Sequence, residues 1–104
     1  MALPPRHVYS AIVKNAGKSD IKVVVTFTFH DGSTEIDEVT IVAGAEATFN
    51  DKTKEEGSMK TIAHITSLDV SGGGNSTAVA HPFNVDSPTR NYVFTVGDDL
   101  AIQH

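Results

Sequence analysis

The sequence predicts an all-β fold, an immunoglobulin-like antiparallel β-sandwich of seven or eight strands formed by residues 1–104 as one domain. The strongest observation is a run of alternating residues between positions 21 and 30. The apolar members of this run occupy every second position: Ile21, Val23, Val25, Phe27 and Phe29. Successive side chains of a strand point to opposite faces, so these residues share one buried face.

The second observation is the pair Asp31-Gly32, which closes this strand. Asp-Gly suits a two-residue turn with positive φ, so we expect a hairpin whose other strand covers residues 33–42. Before the hairpin, residues 7–14 have the pattern of a first strand. Residues 15–20 are typical of a turn, because Asn, Gly, Ser and Asp dominate there.

The third predicted strand contains one irregularity. Ile36 has the opposite parity to Val39 and Ile41. A β-bulge near residues 37–38 would return Ile36 to the buried face, because one extra residue shifts the register by one. Alternatively, the strand is regular and Ile36 is exposed.

The third observation is the regular recurrence of turn residues along the rest of the chain. Strands are expected at residues 47–49, 58–70, 77–85, 90–96 and 100–102. Residues 51–57 form a charged loop without an apolar stripe that could dock a helix. Pro82 restricts the sixth strand to an edge or a bulge. Strands at this spacing are typical of a β-sandwich.

Composition excludes several classes of protein. The net charge is −5 and the basic residues are scattered, which disfavours binding to nucleic acid or to an anionic membrane surface. The chain has no cysteine, so it forms neither disulfides nor thiolate metal sites. No stretch approaches the ~20 apolar residues of a membrane helix. A cytoplasmic protein is the simplest interpretation, although a mature secreted chain would look the same.

Loop positions suggest one candidate site. If consecutive strands reverse direction, the loops at 31–33, 50–57 and 86–90 gather at one end of the sandwich. That end contains Asp31, Asp51 and Asp86, with His30 at its margin. Several carboxylates at close quarters can bind calcium, so a calcium-dependent module is one alternative, although no known calcium-loop spacing is present.

Histidines suggest a second alternative. His30, His64 and His81 fall in predicted strands, and three imidazoles can bind a zinc ion that keeps an open catalytic position. A small metalloenzyme or hydrolase would use such a site. Against this reading, the sequence contains no His-x-His or His-x-x-x-His pair. His64 and His81 could equally be structural histidines, and His30 could simply be exposed.

The favoured prediction is a non-enzymatic binding module with no cofactor. The outer face of residues 21–30 carries Val24, Thr26, Thr28 and His30, which is a β-branched and weakly charged surface. Such a face suits a protein partner or a second copy of the chain. The predicted binding residues are Thr26, Thr28, His30, Asp31, Asp51 and Asp86.

Overall fold

The computed structural model describes residues 7–104, which form ten β-strands and no helix. The strands are β1 (Ala11–Asn15), β2 (Ile21–Thr28), β3 (Thr34–Ile41), β4 (Glu46–Phe49), β5 (Thr53–Glu56), β6 (Met59–Ile62), β7 (His64–Gly72), β8 (Asn75–Ala80), β9 (Tyr92–Val96) and β10 (Ile102–Gln103). The all-β class and a sandwich-like arrangement are therefore confirmed. Within the described range there is also no helix with the length and apolar character needed to cross a membrane.

Eight of the strands form two four-stranded sheets. Sheet 1 has the order β10-β9-β1-β4, and sheet 2 has the order β3-β2-β7-β8. All neighbours are antiparallel except β1 and β9, which run parallel. The two remaining strands, β5 and β6, pair only with each other.

The core lies between the two sheets, and β2 supplies its centre. The predicted alternation is confirmed, because the four inward residues of β2 and Phe29 just after it are at most 4% exposed. From sheet 1 the core receives Ala11, Val13, Phe49, Phe94 and Val96. From β7 it receives Ile65, Leu68 and Val70. Hydrogen bonds join β2 to β3 on one side and to β7 on the other. Sheet 1 covers the apolar face of β2.

The predicted bulge in β3 is wrong, and the alternative of a regular strand with an exposed Ile36 is confirmed. Strands β2 and β3 pair without a register shift, and the Ile36 side chain is 62% exposed. A register shift lies instead between β2 and β7, at Thr26 and Phe27. Its physical reason is the spacing of Ile65 and Leu68, which are three positions apart and both fully buried. One extra residue in β7 places both side chains on the same face.

The predicted hairpin between β2 and β3 is present, but its loop has three residues rather than two. The Phe29 amide donates to the Ser33 carbonyl (2.8 Å), and the Gly32 amide donates to the Phe29 carbonyl (2.9 Å). Gly32 has a φ of 90°, a conformation that glycine adopts without steric penalty. This is the common three-residue loop in which a type I turn is followed by a glycine of positive φ.

The charged segment predicted as a loop at 51–57 contains a strand. Here β5 pairs with β6, and the predicted strand over 58–70 is divided at Ala63, whose amide donates to the Lys52 carbonyl (2.9 Å). Hydrophobic periodicity does not predict β5, because this strand contains no apolar residue. The Lys54 ammonium lies 4.6 Å from the centre of the Phe29 ring, so a charged strand covers the end of the core.

Asn15 is a buried side chain whose hydrogen bonds join β1 to its neighbours. Its Nδ2 donates to the carbonyls of Ser19 (2.8 Å) and Ile41 (2.9 Å), while its Oδ1 accepts from the Gly17 amide (3.0 Å). The side chain is 2% exposed. It therefore fixes the turn after β1 and attaches this turn to the end of β3.

We expect Asn15→Ala to lower the free energy of unfolding by about 2 kcal/mol, because the buried Ile41 carbonyl loses its side-chain partner. Urea unfolding followed by circular dichroism measures this change. Asn50→Ala is the matched control, since Asn50 is exposed, and it should change stability by less than about 0.5 kcal/mol. Equal effects of the two substitutions would show that the Asn15 hydrogen bonds contribute little.

Candidate metal centre

Three histidines meet at the edge of the sandwich. One nitrogen from each of His7, His64 and His81 can be chosen so that all three atoms lie within 4.8 Å of one another. Each of these side chains is half-buried. Among the described residues this is the only group of three or more histidine or acidic side chains with such spacing.

The three rings are packed against one another. The His7 and His64 rings stack with their centroids 3.8 Å apart and their planes 5° from parallel. The His81 ring crosses both, at 5.4 Å from His7 and 5.1 Å from His64, with interplanar angles of 63° and 66°. The imidazoles therefore form a compact group rather than three independent surface side chains.

The backbone of residues 7–9 places His7 in this group. The Val8 carbonyl accepts a hydrogen bond from the Ile65 amide (2.7 Å), and the His7 carbonyl accepts one from the Thr89 amide (2.9 Å). Val8 itself is fully buried in the core. The segment that carries His7 is thus fixed between β7 and the residues that precede β9.

The other two histidines belong to sheet 2. His64 begins β7, where it pairs with Thr28 of β2. His81 follows the last residue of β8, and its amide donates to the Thr66 carbonyl (2.9 Å). Main-chain hydrogen bonds consequently position all three side chains, although the three residues are far apart in the sequence.

One atom in this group is without a hydrogen bond. Nδ1 of His81 is buried and has no hydrogen-bond partner among residues 7–104. Most buried polar side-chain atoms in native proteins are paired, so an unpaired one calls for an explanation. A neutral imidazole always has one nitrogen with a free lone pair, and a metal ion is a natural partner for that lone pair.

Burial and proximity also favour the neutral form of His7 and His64. Burial is the largest cause that lowers the pKa of His64, to about 4, and the neighbouring His7 and His81 lower it further. Burial and then His81 lower the pKa of His7 in the same way. Because both pKa values lie below the ordinary value, these side chains bind fewer protons in the folded state than in the unfolded state at mildly acidic pH. At neutral pH they hold free lone pairs.

The sheet face predicted as a binding surface adjoins this group. Thr28 is the register partner of His64, and the hydroxyls of Thr28 and Thr66 are 2.8 Å apart. The Thr66 hydroxyl also donates to the Thr26 carbonyl (3.3 Å). Thr26 and Thr28 are half-buried and His30 is exposed. Of the predicted binding residues, Thr28 therefore lies beside His64, whereas His30 is outside the three-histidine group.

Two of the three acidic residues predicted as calcium ligands have cationic partners. Lys54 Nζ lies 2.7 Å from Asp31 Oδ2, and Arg90 Nε lies 2.8 Å from Asp51 Oδ2. The hydrogen bond from Lys54 is the main reason that the pKa of Asp31 lies well below its usual value, and hydrogen bonds from Ser33 add to it. These ion pairs do join the loops expected at one end of the sandwich. Asp86 is exposed, and the carboxylates offer no assembled calcium site within residues 7–104.

Sequence reasoning identified two of the three histidines and missed the third. It grouped His64 and His81 with His30, whereas the structure brings them together with His7. The available signal was that His7 opens the predicted first strand. Nothing in the sequence pattern shows that this strand end lies against the start of β7.

No protein-family model matches the chain, and neither a curated protein nor a solved structure matches it. Its function must therefore be inferred from its own geometry. Three imidazoles of this spacing can bind a transition-metal ion, because imidazole is a ligand for zinc, copper, nickel and iron.

Proposed function

We propose that this chain is a metal-binding β-sandwich domain and that His7, His64 and His81 hold one transition-metal ion. The observation that carries the proposal is the meeting of three half-buried imidazoles, one of which has a buried nitrogen without a partner. A set of structural histidines would leave that nitrogen unexplained. A metal ion accounts for it and for the convergence of the three rings.

Zinc is the ion that fits this ligand set best. Tetrahedral zinc with Zn–N bonds of 2.0–2.1 Å places two ligand nitrogens roughly 3.4 Å apart. The present nitrogens, within 4.8 Å of one another, need to approach by no more than roughly 1.4 Å. Rotation of the imidazoles about their side-chain bonds can supply such a movement. Copper and nickel also favour imidazole and are expected to compete with zinc in vitro.

A bound ion would cross-link three parts of the fold. His7 precedes β1 in the chain, His64 opens β7, and His81 follows β8. The segments carrying His7 and His81 have few ladder hydrogen bonds of their own compared with the strands of the sheets. Metal binding therefore contributes directly to folding stability, because the unfolded chain does not present a preformed site.

Removing one ligand tests the proposal. In titration calorimetry at pH 7, the metal-free chain is expected to bind one Zn²⁺, and His7→Ala, His64→Ala and His81→Ala are each expected to weaken binding. The loss should be at least roughly 100-fold, since loss of a group that merely orients a metal ligand already costs 10–100-fold. Circular dichroism in EDTA shows whether each variant is folded.

His30→Ala is the matched control for this experiment. His30 is exposed and does not belong to the three-histidine group, so its removal should leave zinc affinity unchanged. Absence of stoichiometric binding by the unmodified chain contradicts the proposal. An equal loss of affinity in His30→Ala and His64→Ala would contradict the assignment of ligands.

The earlier predictions about partners remain compatible with this proposal. A protein partner, or self-association through the outer face of sheet 2, stays a prediction. Its support is Ile36, an apolar side chain that is 62% exposed directly opposite Thr26 in the sheet. An immunoglobulin-like arrangement of the sheets and a cytoplasmic location likewise stay predictions.

A further inference from the structure

We infer that the metal ion at His7, His64 and His81 keeps an open coordination position, and that this position takes water or a small anion. The inference rests on the proposed function, since it concerns the same site. A metal centre with an open position can bind and activate a small ligand. A metal centre that only stabilises a fold has all its positions filled by the protein.

The first argument is the count of possible ligands. The chain has no cysteine, and residues 1–6 contain no histidine, aspartate or glutamate. A fourth imidazole, thiolate or carboxylate would therefore have to come from the described residues. There, the three histidines have no further histidine or acidic side chain within the same spacing. Within residues 7–104, tetrahedral zinc therefore finds three histidine ligands and no fourth histidine or acidic ligand at this spacing.

The second argument concerns the carboxylates at this end of the sandwich. His64 pairs with Thr28 just before the loop that contains Asp31, and the backbone of His7 bonds to Thr89 beside Arg90. Asp31, Asp51 and Asp86 are the acidic residues predicted as ligands in the loops expected at this end. Asp86 is exposed, and its carboxylate does not belong to the group formed by the three histidines. Asp31 and Asp51 each have a cationic partner, Lys54 and Arg90 respectively. Movement of either carboxylate to the metal would break an existing ion pair.

The third argument concerns the hydroxyl groups beside His64. The Thr28 and Thr66 hydroxyls are bonded to each other, and the Thr66 hydroxyl donates to the Thr26 carbonyl. Both hydroxyls are therefore engaged in bonds within the sheet. The three histidines are also half-buried rather than enclosed, so part of the site borders solvent.

Charge determines which ligands this position prefers. Three neutral imidazoles leave the double positive charge of the ion uncompensated, and such an ion lowers the pKa of bound water to about 7. Hydroxide and other small monoanions are therefore the favoured occupants. The chemical class is a Lewis-acid centre with an exchangeable anionic ligand.

Cobalt substitution with azide as the probe tests this inference. The chain is loaded with one Co²⁺, and its visible d–d absorption bands are followed while sodium azide is added at constant ionic strength. The expected result is a saturable shift of the bands with one azide bound per cobalt. His30→Ala, loaded in the same way, should show the same shift.

The outcomes separate this inference from the proposal on which it rests. If Co²⁺ binds one per chain and azide leaves the spectrum unchanged, the fourth position is filled by the protein and the inference is overturned, while metal binding stands. If gel filtration shows that cobalt loading produces a dimer with an azide-insensitive spectrum, a second copy supplies the fourth ligand, which also overturns it. If Co²⁺ and Zn²⁺ both fail to bind, the proposed function and the inference fall together.

Discussion

Zinc at a free concentration of one hundred times its dissociation constant is expected to raise the melting temperature of the metal-free chain by about 10–20 °C. A ligand that binds only the folded state at this excess stabilises it by about 2.7 kcal/mol. For a domain of this size, 1 kcal/mol corresponds to a shift of about 4–8 °C. The three imidazoles belong to separate segments, so the unfolded chain offers no comparable site.

Thermal unfolding followed by circular dichroism measures this shift, with EDTA in one sample and buffered Zn²⁺ in the other. Magnesium is the matched ion, because it prefers oxygen ligands and should leave the melting temperature unchanged. His81→Ala should lose most of the zinc-dependent shift, while His30→Ala should keep it. A shift of equal size in His81→Ala would mean that zinc stabilises the fold from another site.

The strands that the sequence predicts well are those whose periodicity follows burial. Apolar residues recur at every second position of β2 because sheet 1 covers one of its faces. The apolar residues of this segment are therefore sufficient to predict the strand. Strand β5 has no such pattern, because its Lys54 lies over Phe29 at the rim of the core, as Lys52 just before the strand lies over Phe27. A charged sequence of this kind has the composition of a loop, so its pairing with β6 could not be predicted.

The three-histidine group was only partly predictable because its convergence depends on long-range pairing. Placing His64 and His81 in strands was sufficient to make them candidates. The third histidine depends on which strand ends meet, and the hydrogen bond between the Ile65 amide and the Val8 carbonyl joins the relevant ones. His30 was the third choice because the predicted strand extended to residue 30, but β2 ends at Thr28 and the loop leaves His30 exposed.

Phe27→Ala is expected to lower the free energy of unfolding by about 3–5 kcal/mol. Phe27 is fully buried, and its register partners lie in β3 and β7, so both flanking strands enclose it. Truncation of such a side chain removes apolar contacts and leaves a cavity between the sheets. Since small domains have total stabilities of about 5–15 kcal/mol, this single change would remove a large share.

Val24→Ala is the matched substitution on the opposite face of the same strand. Val24 is half-buried and points away from sheet 1, so its truncation creates no cavity in the core and should cost about 1 kcal/mol or less. Urea unfolding in EDTA measures both variants without a contribution from metal. If one face of β2 forms the core and the other is at the surface, Phe27→Ala must lose much more free energy of unfolding than Val24→Ala. Similar losses from both would contradict this arrangement, because they would mean that the outer face of β2 is covered as completely as the inner one.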